Sequence, residues 1–279
     1  MKKVIVILLA AALLLSVVGC KKAENKKLTV AMSPDFAPME FVDTSKTGQE
    51  QYVGFDVTLA NFLAKELGME LEIKPMSFDA CMTAVQLGSV DMAISGFSWK
   101  PDRAENFLLS DYYIAGDNET QQSVITVKAK ENTCKTQADF SGWKVGAQAS
   151  SLQEQLVKDE LIPAWAELVV YKSIDDAVLA LQTGKIDALA VAHGNGEAII
   201  ANNPDLAFTG FDFDVDPKYE NNVILLNKSN TEMLEKVNQV LAKAMAAGVY
   251  DGWYEDAKAL AGIPTAADVS YDDDGKPVS

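Results

Sequence analysis

The sequence predicts an α/β protein made of two consecutive strand-and-helix regions, on three observations. Apolar strand-like segments alternate with amphipathic helical segments in both regions. Glycines close the helices. The stretch Ala84–Asp91 recurs as Ala180–Asp187, each copy a helix end, a glycine turn and the start of a buried strand. Strand–helix alternation implies mostly parallel sheets covered by helices on both faces. The recurrence marks either a turn common to α/β proteins or one copy in each of two similar lobes. In both cases the residues after each strand lie at its carboxyl end, where open α/β sheets bind ligands. Those segments are Ser95–Arg103 and Ala192–Glu197.

At the amino end, Lys2 and Lys3 precede an unbroken apolar run, Val4–Leu15, too short for a permanent membrane span. Val17-Val18-Gly19-Cys20 follows, with small residues before a cysteine as a lipoprotein signal peptidase requires. Residues 1–19 therefore read as an export signal and Cys20 as a lipidated first residue. Each buried acyl methylene contributes about 0.8 kcal/mol, so several chains, palmitate among them, anchor firmly. Residues 20–27 read as a polar, basic tether on the extracytoplasmic face of the membrane.

The first region opens with a strand at Leu28–Met32. Asp56 is placed to cap a helix with Val57, Leu59, Ala60, Phe62, Leu63 and Leu67 on one face, ended by Gly68. Leu71–Pro75 is a strand, about Phe78–Leu87 a helix ending at Gly88, and Val90–Ile94 a third strand. In the second region Ser123–Val127, Lys144–Gly146, Leu168–Tyr171 and Asp187–Val191 read as strands. Ser173 with Asp176 forms a capping-box start for a helix ending at Gly184. A last long helix opens at Ser229 with Glu232. Its core face carries Met233, Leu234, Val237, Val240, Leu241, Ala244 and Met245, and it stops at Gly248.

A net charge of −16 argues against nucleic acid as a partner. With one histidine and three cysteines, no His/Cys cluster suggests a metal site, and no cofactor is expected. Cys81 and Cys134 fall in separate regions and are expected to be free thiols. No paired carboxylates in the segments after the strands suggest a catalytic arrangement.

Phe36-Ala37-Pro38-Met39-Glu40-Phe41, Gly54-Phe55-Asp56-Val57, Phe78, Ser95-Gly96-Phe97-Ser98 with Arg103, Ser110-Asp111-Tyr112-Tyr113 and Gly142-Trp143-Lys144-Val145-Gly146 occur in this order. Together the chain resembles the bacterial extracellular solute-binding proteins of family 3, over about Leu28 to Gly262. The resemblance implies two lobes closing like a flytrap about two crossover strands. Lobe one would be residues 28–115 and 219–279, the latter with an acidic tail, and lobe two 116–218. The polar segment Gly116–Thr120 would serve as a hinge. It also implies an ABC importer, with a permease and its ATPase as partners and a monomeric binding protein delivering a small carboxylate-bearing solute. Other classes on this fold are a dehydratase-like enzyme and a ligand sensor.

The resemblance assigns the ligand's carboxylate to Arg103, whose guanidinium fork matches it with two charge-assisted bonds. Ser95, Gly96 and Ser98 add hydroxyls and amides, and Phe36 and Phe78 sandwich the ligand body. Gln148, Ser151 and Leu152 open a helix whose free amides attract anions. His193 is a further candidate. Three positions depart from the family's pattern. Thr58 reads as a surface change, and Lys100 is expected to point to water. Ala192 stands where relatives carry an aspartate that pairs with the ligand's ammonium. Its absence points to an acid with a blocked, absent or displaced amine, such as an acylated amino acid, a short peptide or an organic acid.

Overall fold

A computed structural model describes residues 26–113, 120–162, 164–219, 221–265, 267–268, 270–271 and 277–278. The export segment, Cys20, the tether up to residue 25, the hinge stretch 116–119 and most of the acidic tail lie outside the described residues.

The chain begins with β1 (Lys27–Met32), then short β2 (Asp35–Phe36), β3 (Glu40–Val42) and β4 (Tyr52–Val53). It continues through α1 (Phe55–Glu66), β5 (Glu70–Pro75), α2 (Phe78–Gln86), β6 (Met92–Ala93), α3 (Pro101–Asn106) and β7 (Leu108–Leu109). The second region holds β8 (Gln122–Val127), β9 (Trp143–Gln148), α4 (Leu152–Leu156), β10 (Ala166–Tyr171), α5 (Ile174–Gln182), β11 (Ala188–Ala192), α6 (His193–Asn202) and β12 (Leu206–Asp212). β13 (Leu225–Leu226), α7 (Thr231–Ala247) and α8 (Tyr250–Ala261) complete it.

Ten of these strands form two five-stranded sheets, ordered β5-β1-β6-β13-β7 and β10-β9-β11-β8-β12, and β2, β3 and β4 form a small third sheet. In each five-stranded sheet one strand is reversed against the other four, which share a direction. β1 runs parallel to β5 and β6, whereas β13 is antiparallel to both its neighbours. β9 runs parallel to β10 and β11, whereas β8 is antiparallel to both of its own. β8 and β13 are the strands that enter each sheet from the other lobe, and this reverses their direction relative to the strand–helix–strand units. β13 returns the chain to the first sheet, and α7 and α8 then pack on that lobe's core.

Helices cover both faces of each five-stranded sheet, following the period of two along the strands. Leu28, Val30 and Met32 pack with α1, α7 and α8, while Ala31 faces α2. Val124, Val145 and Ala190 pack beneath α4, while Ile125, Leu189 and Val191 face α5. No helix among the described residues is long and apolar enough to cross a membrane.

The recurring segments are the same unit built twice. Gly88 and Gly184 adopt φ of 66° and 69°, which glycine reaches without a Cβ penalty. Asp91 and Asp187 then accept the amides of Thr29 and Lys144, tying each strand to its parallel neighbour.

Two expected caps differ. Asp56 lies inside the first turn of α1 and Gly54 occupies the cap. The Pro38 and Met39 carbonyls accept the Phe55 and Asp56 amides at 3.1 and 2.8 Å, so the helix start is satisfied by backbone. The Asp56 side chain is thereby freed and turns inward. At α7 the cap is Asn230, because Ser229 Oγ donates to Asn227 Oδ1 instead. The third strand is shorter than its apolar run, although the Asp91 and Ile94 amides extend its pairing to Thr29 and Ala31. Cys81 and Cys134 are free and buried.

Candidate functional site

One cavity lies between the sheets, at the carboxyl ends of β1, β6, β9 and β11. The residues that follow each of those strands form the wall, in loops after β1, β6 and β9 and in the first turn of α6 after β11. Ser33 follows β1, Ser95 to Ser98 follow β6, Ser151 and Leu152 follow β9, and Asn195 follows β11.

Arg103 dominates the site. Pro101 at the first turn of α3 sets a helix start that turns residue 103 inward, leaving it 2% exposed. Its guanidinium carbon sits 5.5 and 5.3 Å from the Phe78 and Phe97 ring centroids, which stack at 4.5 Å. One terminal nitrogen donates to the Ser98 carbonyl and the other to the Ser150 carbonyl of the second lobe at 2.9 Å. Nε is buried without a partner, and Arg103 makes no salt bridge among the described residues. Burial pulls the guanidinium down to about 10, with Asp102 opposing, so the group stays charged at neutral pH.

Phe36 and Phe78 also line the cavity. Gly96 adopts φ 55°, and a Cβ there would lie 2.6 Å from the Phe36 ring, so only glycine lets this aromatic wall close over the loop. Ser95 and Ser98 join it in the lining, but the Ser95 hydroxyl is committed to the protein. It donates to Glu40 and accepts the Ser33 amide at 2.9 Å. Ser151 lines the cavity as the cap of α4, its hydroxyl accepting from Glu154 and donating to the Gln148 carbonyl. Leu152 lies beside it and Gln148 reaches toward Asp35 at 3.4 Å.

Nine of the ten expected ligand-binding residues therefore border one cavity. His193 is not among the lining residues. It starts α6, stacks on Phe208 at 4.5 Å and shares a hydrogen bond with Ser123. Lys100 departs from its expected place in water. It is 8% exposed, 3.9 Å from Asp102, and burial and then Arg103 lower its pKa. The lining also includes Gln122, Gln153, Ile174, Asn195 and Asn222, polar or apolar residues without a distinctive spacing. Position at the end of β11 is the one cue that pointed toward Asn195.

Beneath the Ser95–Gly96 loop lie Glu40 and Asp56, both fully buried. Asp56 accepts the Gly96 amide at 2.7 Å and the Tyr113 hydroxyl at 3.1 Å. Burial first, then the neighbouring Asp56 charge, raises Glu40 well above its ordinary value, and burial raises Asp56 to about 7.

The model of the bacterial extracellular solute-binding proteins, family 3, matches residues 28–256. An arginine-binding extracellular protein of Bacillus subtilis is 29% identical over 248 residues, covering 86% of this chain and 92% of the relative. A probable histidine-binding protein of Campylobacter jejuni is 28% identical over 271 residues, covering 90% and 96%. Among solved structures, an amino acid ABC transporter substrate-binding protein of Streptococcus pneumoniae bound to L-arginine superposes with TM-score 0.76. It is 35% identical, over 86% of this chain and 97% of that one. A Salmonella typhimurium periplasmic binding protein of high arginine specificity gives TM-score 0.74 at 27% identity, over 83% and 98%. By the reach of the family match and the two-lobe architecture, this chain belongs to the bacterial extracellular solute-binding proteins of family 3.

Proposed function

We propose that this chain is the solute-binding component of an ABC importer, capturing a small carboxylate-bearing solute between its lobes and presenting it to a membrane permease. One observation carries the reading: Arg103 is a buried cation that borders the cavity, has an unpartnered Nε and makes no salt bridge among the described residues. A buried charge without a counter-charge is costly unless something pairs with it. An entering carboxylate supplies that charge and accepts from the guanidinium fork.

Phe36 and Phe78 hold the ligand body in this reading, and Ser98 and Leu152 contribute backbone donors. Lobe one comprises residues 28–115 and 219 onward, and lobe two 116–218. The protein acts as a monomer without a cofactor, held by lipid on Cys20 at the extracytoplasmic face after removal of residues 1–19. Acyl labelling should vanish in Cys20→Ala, and persistence of label in that variant removes the anchor.

Calorimetry on Arg103 tests the binding role. Arg103→Ala is expected to lose about 2–5 kcal/mol of ligand affinity, much of it the unpaired partner left behind. Arg103→Lys recovers little, because an ammonium lacks the planar fork. Near-parental binding by Arg103→Ala moves the carboxylate contact elsewhere.

A further inference from the structure

The charge balance of the cavity carries a statement about its ligand that rests on the reading of Arg103 as a carboxylate partner. Among the described residues, Arg103 is the only ionisable side chain in the lining, and no Asp or Glu appears there. The nearby acids are occupied outside it. Asp35 accepts the Ile174 amide at 2.8 Å and the Ser33 hydroxyl at 2.9 Å. Glu40 and Asp56 lie behind Ser95 and Gly96. A ligand ammonium in this cleft would meet one cation and, among the described lining residues, no carboxylate, and an unpaired buried charge is heavily penalised.

The cavity does offer a neutral acceptor. Asn195 is 1% exposed and lines it. Its Nδ2 donates to the Ala37 carbonyl at 2.9 Å, which fixes the amide's orientation, and its Oδ1 is buried without a partner among the described residues. One lone acceptor suits one uncharged N–H. An ammonium brings three donors and a charge. Beside Asn195, Leu189 and Val191 with Ala190 and Ala192 give an apolar wall of the kind that accepts an acyl group.

We propose that the ligand is a carboxylic acid bearing an adjacent uncharged N–H, the chemistry of an N-acylated α-amino acid. The C-terminal unit of a short peptide carries the same groups. Arg103 pairs with the carboxylate, and Asn195 Oδ1 accepts the amide N–H.

The full chain, purified in detergent, is titrated by calorimetry with three series over the proteinogenic side chains: free amino acids, their N-acetyl derivatives, and their N-glycyl dipeptides. For the side chain that binds best, an acylated form is expected to bind about tenfold or more tightly than the free amino acid, because a site's unmatched buried polar groups are strongly discriminating. The stronger of the two acylated series identifies the source. Equal or tighter binding of the free amino acid overturns this inference and leaves the carboxylate reading standing. No binding in any series overturns both. Ala192→Asp adds a reversal test, since an aspartate suits the cap position that residue 192 holds at α6. The variant is expected to gain about tenfold for the free amino acid and to lose affinity for the acylated form. An unchanged preference counts against the inference, because better helix capping alone would not alter which ligand binds.

Discussion

Glu40 and Asp56 support the Ser95–Gly96 loop from beneath, Glu40 accepting the Ser95 hydroxyl and Asp56 the Gly96 amide. Each leaves one oxygen, Oε2 and Oδ1, buried without a donor from elsewhere. The two carboxyls are electrostatic neighbours with raised values, which predicts that the pair retains a proton able to serve as the missing donor. Their folded values lie above the ordinary ones, so the folded state binds more protons than the unfolded chain in between. Stability from the pair is therefore complete below the ordinary carboxylate range and is lost as pH rises through the folded values. Glu40→Gln keeps an acceptor for Ser95 and a donor for Asp56 without ionising. Its stability relative to the parent is expected to grow as pH rises from about 4.5 to about 7, as read by urea melts at a series of pH values. A constant gap across that range contradicts a proton held on the pair. Arg103 was legible in the sequence through the family resemblance, whose motif places it close after Ser95-Gly96-Phe97-Ser98. Glu40 as the partner of Ser95 was not, because 55 residues separate them.

At the scale of elements, Gly54 joins α1 to the loop that carries Phe36. It adopts φ 119°, and a Cβ there would lie 2.4 Å from the Met39 carbonyl oxygen. That oxygen already accepts the Asp56 amide, so it cannot withdraw without unsatisfying the helix start. Gly54→Ala is expected to destabilise the protein by about 1–3 kcal/mol, as read from the denaturant midpoint. A midpoint equal to the parent's would show that the Met39 carbonyl yields freely. The helices themselves were legible from apolar spacing and terminal glycines. Their caps were less so, because a backbone carbonyl from a distant loop replaces the expected side chain at α1, and no local pattern records that carbonyl.

Across the whole molecule, the lobes meet through hydrogen bonds at the cavity and an apolar cluster of Ala198 with Ala261 and Ile263. Asp35 of the first lobe accepts the Ile174 amide at the start of α5, Arg103 donates to Ser150, and Asn195 donates to Ala37. Burial raises the pKa of Asp35, while the Ile174 amide and neighbouring side chains offset part of the shift. Asp35→Ala leaves the Ile174 amide without its acceptor, a loss of about 1–3 kcal/mol in the closed form. The variant is expected to populate open conformations and to show weaker apparent affinity, since only the competent fraction binds. Small-angle scattering of the ligand-free protein should give a larger radius of gyration than for the parent. An unchanged radius with unchanged affinity would show that Asp35 does not hold the lobes together.

The sequence by itself determined the two α/β regions and the repeated turn with Gly88 and Gly184, and its resemblance to a known family pointed to the residues about Arg103. Periodicity, glycine position and short motif spacing are properties of neighbouring residues, so they survive without the fold. Only the tertiary structure decided that Asp56 is buried rather than a cap, that Lys100 is enclosed, and that the Ser95 and Ser151 hydroxyls serve the protein. The same holds for Asn195 Oδ1, which among the described residues has no partner and borders a lining without a carboxylate. Each depends on which distant segment packs opposite, as with Asn195 and Ala37, 158 residues apart. Sheet order and lobe packing set those pairings, and the energy of a polar group follows its partner rather than its neighbours in the chain.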